Sequence, residues 1–384
     1  MTADDHPGDI IEIGGPARDD RPRRPWRKWL PLVLVVGVGL AVYARTGADS
    51  RADRPPVTRP PSATTAAASP SGPTPTSTAP VVTEVDHPLL GVDAGWQLHG
   101  RGPGAVVRID LAAGRVTTTP VPALLSTGPV NFLVGPDRVV VRPLDAVPGY
   151  VVPDGAPAAE ATGDFSHGGA ALPGPDPTSV WVSDDEAGRM LLVRFDGRRA
   201  GRTLELPQGT RSFAEPDGAG YPLVAATGGV YSLRPDGVHR ITTGEVLAVG
   251  PRHWLARECD ERLRCGTVLI EQRDGARRAV PLRLDESEVS RGLISPDGTR
   301  AAIWVTASGG TSRFHLLDLR SGRNVLVDLA ADPGFFQQRM AWSPDGRWLF
   351  VAGSQLQAVE VETGRTREFG VALPQIDQIA VRAG

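Results

Sequence analysis

One short turn sequence recurs along the chain at intervals of about 42 residues, and its regularity limits the folds that the chain can adopt. The glycines of these turns are Gly114, Gly155, Gly197, Gly237, Gly275, Gly322 and Gly364. Four of them directly follow an aspartate, and each lies between two short apolar runs. Because glycine adopts positive φ without a Cβ clash, Asp-Gly between two strand-like runs is a hairpin signal. Seven evenly spaced hairpins predict a repeat protein built from β-strands.

A second series of turns alternates with the first. It contains Pro-Asp or Gly-Pro pairs, with the clearest examples at Asp297 and Asp345, where the sequence reads Ser-Pro-Asp-Gly. Proline presets φ for the first turn position, and aspartate bonds back to the backbone. One unit therefore reads as four strands in about 42 residues, the size of a propeller blade. We expect an all-β, seven-bladed propeller, with six or eight blades as alternatives, in which the run 375–382 completes the blade that starts at Trp96.

The Ser-Pro-Asp-Gly turns at Ser295 and Ser343 resemble those of TolB-like and WD-repeat-like β-propellers. The resemblance covers about residues 90–384 and is most specific in the last two units. It implies a scaffold that presents loops for binding protein, peptide or glycan ligands, and no common active site transfers with it.

The N-terminal region is different in character from the repeats. Residues 1–28 are polar and predict a disordered cytoplasmic tail, and residues 29–46 predict one transmembrane helix, since no charge occurs from Leu30 to Ala44. Six basic residues precede this run within 18–28, and four follow it within 45–59, so the N-terminus is expected in the cytoplasm. The alternative is a cleaved export signal, with cleavage near Ala44 and a secreted propeller.

Residues 47–83 predict a disordered linker. Eight prolines and ten serines or threonines occupy positions 55–80, so this segment cannot bury enough apolar surface to offset its ordering entropy. The propeller domain is expected over 84–384, outside the cytoplasm at the cell membrane. The single lysine, Lys28, among forty arginines indicates a GC-rich bacterial genome of the actinobacterial type.

The two cysteines, Cys259 and Cys265, lie at the ends of two strand-like runs and face each other across a hairpin tip. In an oxidising compartment they are expected to form a disulfide. Free or metal-binding thiols are the alternative, although two thiols are too few for a structural zinc site.

Signals for chemistry are few. The chain has no Gly-x-Ser-x-Gly elbow, His-Glu-x-x-His motif or phosphate loop, so we expect no enzyme, no cofactor and no metal. The acidic cluster 183–186 and the scattered histidines are weak candidates for a cation site. A net charge of −3 gives no indication of nucleic-acid binding.

The expected function is a membrane-anchored binding or scaffold module at the cell envelope. One alternative is a propeller hydrolase or lyase whose carboxylates converge on the channel from different blades. Another is a signal-transducing sensor, although the short N-terminal tail offers little beyond docking.

Overall fold

The computed structural model describes most of the region after residue 78. The described residues are 79–383 apart from 122–129, 144–148, 163–169, 186, 211–213, 283–287, 307–311, 330–337 and 354. The predicted tail, transmembrane helix and most of the linker therefore lie outside the described residues. Among those described, no helix is long and apolar enough to cross a membrane.

The described residues form twenty-nine strands and no α-helix, with one 3-10 turn at Leu89–Gly91. The strands are β1 (Val81–Glu84), β2 (Gln97–Gly102), β3 (Ala105–Asp110), β4 (Arg115–Pro120), β5 (Val130–Val134), β6 (Arg138–Pro143), β7 (Gly149–Pro153), β8 (Glu160–Thr162), β9 (Ala171–Pro173), β10 (Ser179–Asp184), β11 (Arg189–Arg194), β12 (Arg199–Glu205), β13 (Glu215–Pro216), β14 (Pro222–Ala226), β15 (Gly229–Arg234), β16 (Gly237–Thr242), β17 (Glu245–Val249), β18 (His253–Cys259), β19 (Cys265–Glu271), β20 (Arg277–Val280), β21 (Glu288–Ile294), β22 (Arg300–Thr306), β23 (Ser312–Asp318), β24 (Asn324–Val327), β25 (Met340–Trp342), β26 (Trp348–Val351), β27 (Gln357–Glu360), β28 (Arg365–Arg367) and β29 (Gln378–Arg382).

These strands form successive antiparallel sheets, as in a β-propeller. Sheet 1 has the order β1-β4-β3-β2-β29, and sheets 2, 3 and 4 contain β5–β8, β9–β12 and β13–β16. An eight-stranded sheet follows, with the order β20-β19-β18-β17-β21-β22-β23-β24, and β25–β28 form the last sheet. The innermost strands contact one another around the ring, from β17 through β21, β25, β29, β5 and β9 to β13. The all-β propeller fold expected from the repeats is thus confirmed.

The prediction of seven separate blades was wrong. The described strands form six hydrogen-bonded sheets, of which five have the size of one blade. The eight-stranded sheet arises because β17 and β21 pair in parallel, with Ala248 opposite Gly292 and Val249 opposite Leu293. Each half of this sheet is an antiparallel four-stranded run. The 42-residue period of the sequence predicts the number of repeat units. It does not predict whether the innermost strands of two neighbouring units form hydrogen bonds with each other.

The expected ring closure is confirmed. The late strand β29 pairs with β2 along its length, from Gln97 opposite Arg382 to Arg101 opposite Gln378. It thereby supplies the innermost strand of the sheet that contains β2, β3 and β4. Closure covers the inner edge of β2, which protects the backbone groups of β2 from pairing with another chain.

Apolar side chains fill most spaces between neighbouring sheets. One cluster joins the eight-stranded sheet to the last sheet, and in it Trp304 and Phe314 make an edge-to-face contact with ring centroids 5.0 Å apart. These side chains recur at every second strand position because successive residues point to opposite faces of a strand. Two tryptophans on strands, Trp181 and Trp304, pack between sheets and are buried in two different clusters.

Candidate functional site

One end of the ring is built from the turns that connect each innermost strand to its neighbour, and we call it the turn face. The chain runs the same way along the innermost strands, so these turns gather at one end. The guanidinium of Arg382, at the end of β29, shows this gathering. It donates to the Gly135 carbonyl after β5 at 3.1 Å and to the Asp154 carboxylate after β7 at 2.6 Å.

A recess of about 520 Å³ opens on the turn face, and we call it the mouth recess. Its walls come from the end of β5, from the turns after β9, β13 and β17, and from Phe195 after β11, so four consecutive repeat units meet there. Its volume lies within the range of about 300–1,000 Å³ that is typical of ligand pockets. Its walls include five prolines, which are Pro173, Pro175, Pro177, Pro216 and Pro251.

The proline content determines the polarity of the mouth recess. Proline has no backbone N–H, so these five positions provide carbonyl acceptors and no backbone donors. Asp176 is the one charged side chain among the described residues that line the recess. The mouth recess therefore offers hydrogen-bond acceptors and a negative charge within an otherwise apolar lining.

The Asp176 carboxylate is held in place by its own turn. It accepts hydrogen bonds from the Thr178 hydroxyl at 2.6 Å, the Thr178 amide at 2.9 Å and the Ser179 hydroxyl at 2.8 Å. The hydrogen bond from the Thr178 hydroxyl is the largest cause that keeps the pKa of Asp176 below its ordinary value of 3.8. Asp176 is consequently ionised at neutral pH, and its acceptor atoms are oriented before any ligand arrives.

Close backbone contacts fix the turn after β13. Gly220 has φ of +90°, and a Cβ placed on it would lie 2.4 Å from the carbonyl oxygen of Gly174 in the neighbouring turn. Only glycine allows both this conformation and this approach. Direct contact between the backbones of Gly220 and Gly174 therefore sets the spacing between two walls of the mouth recess.

A buried ionic cluster supports the same turn from behind. The Asp217 carboxylate is fully buried and accepts hydrogen bonds from the amides of Ala219 at 2.7 Å and Tyr221 at 2.9 Å. Burial is the largest influence on the Asp217 carboxyl and raises its pKa. The positive charge of Arg234, 3.7 Å away, acts in the opposite direction but is the smaller influence. The Arg234 guanidinium lies over the rings of Tyr221 and Trp254, at 5.4 and 5.6 Å from their centroids.

The sequence did not reveal this cluster because its members come from different repeat units. The Trp254 indole donates to the Asp217 carbonyl at 3.0 Å, across a separation of 37 residues. The Pro-Asp-Gly motif at Asp217 predicts a turn. The motif does not distinguish a buried aspartate from the exposed aspartates of the other turns.

The predicted disulfide is confirmed. Cys259 and Cys265 are directly paired across the β18–β19 hairpin and are bonded to each other. Hairpins between second and third strands point away from the turn face, so this disulfide lies at the opposite end of the ring from the mouth recess.

The seven predicted turn glycines all adopt positive φ in the structure. The values are 63° at Gly114, 73° at Gly155, 82° at Gly197, 140° at Gly237, 72° at Gly275, 72° at Gly322 and 68° at Gly364. The two predicted turn aspartates close their own turns. Asp297 accepts from the Thr299 amide at 3.1 Å and Asp345 from the Arg347 amide at 3.1 Å. None of these nine residues lines the mouth recess, so their roles in the described structure are those of turn formation.

The described members of the candidate cation sites are not brought together. Within the acidic cluster, the Ser183 hydroxyl bonds to the Asp185 carboxylate, and the Asp184 carboxylate pairs with Arg189 at 3.0 Å. The part of the chain that the structure describes contains no group of three or more His, Cys, Asp or Glu side chains that could hold a metal ion.

Comparisons with known proteins concern the fold alone. No protein-family model matches the chain, and no curated protein matches it. TolB from Acinetobacter baumannii is similar over 75% of this chain and 66% of that chain, with 13% identity and a TM-score of 0.43. A protein from Lactobacillus plantarum is similar over 75% and 98%, with 13% identity and a TM-score of 0.47. A functionally unknown protein from Desulfotomaculum acetoxidans is similar over 75% and 99%, with 12% identity and a TM-score of 0.46. Likeness of this degree carries no argument about activity.

Proposed function

We propose that the protein is a binding module whose mouth recess accepts a peptide segment bearing a basic side chain. The observation that carries this proposal is the lining of the recess, where five prolines surround one ionised carboxylate, Asp176. A lysine or arginine side chain combines an apolar stem with a charged donor head, which is the complement of such a lining. Among the protein, peptide and glycan ligands expected from the sequence, a peptide fits best.

The composition of the mouth recess also favours binding over catalysis. General acid–base chemistry normally requires groups that can exchange protons with the reacting atoms at working pH. Asp176 is the one titratable side chain among the described residues of the recess, and its lowered pKa makes it a poor acid. A propeller hydrolase or lyase remains the alternative function, and it would need carboxylates outside the mouth recess.

Selection of peptides from a random library against the full-length protein tests the proposal. We expect the enriched sequences to carry lysine or arginine next to apolar residues. Ala219→Arg places a cationic side chain in the recess and should abolish binding, and Asp176→Asn should weaken it about tenfold through loss of a charge-assisted contact. Val238→Arg, on the exposed face of β16, is the matched control. Selected peptides that bind Ala219→Arg as well as the wild type would overturn the proposal.

We further propose that the propeller lies outside the cytoplasm, anchored by the uncharged run Leu30–Ala44. The disulfide between Cys259 and Cys265 supports this, since disulfides persist mainly in oxidising compartments. A reporter that is active only outside the cytoplasm, fused after Gly384, should be active. Retention of the full-length chain in washed membranes distinguishes an anchor from cleavage near Ala44. A silent reporter would refute the topology.

A further inference from the structure

Sheet 1 has two chemically different faces. The face toward the last sheet is apolar and includes Leu98, Val107 and Ile109, which are fully buried. On the opposite face, toward sheet 2, strands β2, β3 and β4 carry polar side chains at every position but one. These positions are Gln97, His99, Arg101, Val106, Arg108, Asp110, Arg115, Thr117 and Thr119. A polar face between two sheets of a propeller is unusual, because such faces normally form the apolar core.

Three of these residues lie in one row across the sheet. His99 is paired with Arg108, and Arg108 is paired with Thr117. The three line a cleft of about 360 Å³ whose other wall includes the apolar residues Val139 and Val152 of sheet 2. We call this space the inter-sheet cleft. Its volume lies within the range typical of small-molecule sites.

His99 has polar atoms that are buried without partners. Only 1% of its surface is exposed, and neither ring nitrogen has a hydrogen-bond partner. Burial is the main cause that lowers the pKa of His99 to about 3, followed by the positive charges of Arg382 and Arg108. The ring is therefore neutral at physiological pH, with one N–H donor and one acceptor nitrogen. Buried polar atoms in native proteins are nearly always paired, so an unpaired imidazole next to a cleft indicates a missing partner.

The charges around the inter-sheet cleft leave one arginine unmatched. Both carboxylates in its lining are already paired, Glu84 with Arg115 at 2.5 Å and Asp154 with Arg382 at 2.6 Å. Arg108 is half-buried in the lining and has no hydrogen-bond or ion-pair partner among the described residues. A half-buried guanidinium without an anion is an unfavourable arrangement, which a bound anion would relieve.

We propose that the inter-sheet cleft binds a small organic monocarboxylate. Its carboxylate pairs with Arg108 and accepts hydrogen bonds from His99 and Thr117, and its apolar body lies against Val139 and Val152. One unmatched positive charge suits one negative charge, and the apolar wall suits a hydrocarbon or aromatic group rather than a phosphate. The chain segment that leads into the cleft cannot supply the carboxylate itself, because residues 54–83 contain neither aspartate nor glutamate. This site is separate from the mouth recess.

Calorimetric titration of the full-length protein with benzoate and with benzamide tests the proposal. The two probes have similar shape, and only benzoate carries the negative charge. We expect benzoate to bind at least about tenfold more tightly than benzamide, because charge-assisted contacts to arginine are lost with the amide. Equal affinity for the two probes, or no binding of benzoate, would overturn the proposal.

Substitutions assign the binding to the cleft. Arg108→Gln should reduce benzoate affinity at least about tenfold, and Thr117→Val should reduce it by a smaller factor. Arg313→Gln, at an exposed position of β23, is the matched control and should bind as the wild type does. Undiminished binding by Arg108→Gln would contradict the assignment.

A second measurement uses the wild-type chain alone, in case Arg108→Gln does not fold. Crystals soaked with 4-bromobenzoate should show anomalous bromine scattering inside the cleft, next to Val139 and Val152. Bromine located only elsewhere on the molecule would refute the proposed site.

Discussion

Acidification should destabilise the propeller through one side chain, His99. The pKa of its imidazole is about 3 in the folded protein and has the ordinary value of 6.5 when the chain is unfolded. A base with a lowered pKa stabilises the folded state fully above pH 6.5, and this stability is lost as the pH falls toward 3. At about 1.36 kcal/mol per pKa unit, the loss between pH 7 and pH 5 is about 2 kcal/mol, rising to about 3 kcal/mol at pH 4.

Urea unfolding followed by tryptophan fluorescence at pH 7 and pH 5 measures this loss. The His99→Gln variant keeps a polar side chain that does not titrate, so its free energy of unfolding should fall about 2 kcal/mol less than that of the wild type over the same pH interval. His239→Gln is the control, since His239 lies on the exposed part of β16 and contacts Asp236 at the surface. If the free energy of unfolding of His99→Gln depended on pH as strongly as that of the wild type, burial of the His99 imidazole would not be the cause of the acid destabilisation.

Four further substitutions test the packing of the turns and the hairpin. Gly220→Ala should cost about 3 kcal/mol of stability, because it combines a strained φ with a backbone clash, whereas Gly155→Ala, with open space around it, should cost about 1–2 kcal/mol in thermal unfolding. Arg234→Met leaves the buried Asp217 carboxylate without its cation and should cost about 3 kcal/mol at pH 7. This cost should shrink at pH 5 in urea unfolding, because burial has already raised the pKa of Asp217. Cys265→Ser should lower the stability by about 2 kcal/mol, and a reducing agent should give the wild type the same melting temperature as this variant.

The local features that the sequence predicted are those that depend on residues close together in the chain. The hairpin at Asp154–Gly155 and the turn at Ser295–Asp297 follow from φ preferences and side-chain-to-backbone bonds within a few residues. Ring closure was also predictable, because the run ending at Arg382 lacked a partner in its own unit and β2 lacked one in the first.

The features that the sequence did not reveal depend on distances between units. Arg108 reads as one polar position in an alternating strand, and only the register of three strands places it between His99 and Thr117. The parallel ladder between Ala248 and Gly292 likewise depends on how closely two innermost strands approach. The mouth recess is assembled from prolines of three repeat units, and their convergence requires the ring.

The closure of sheet 1 by β29 also has a consequence for synthesis of the chain. Strand β29 leaves the ribosome after all the other described strands, and until then β2 has no partner on its inner edge. A nascent propeller thus exposes an open strand edge for almost the whole time of its translation, and such edges readily pair with other chains. The polar side chains His99 and Arg101 on this strand should make it a poor template for that pairing, so we expect the polar face of sheet 1 also to protect the unfinished protein from aggregation.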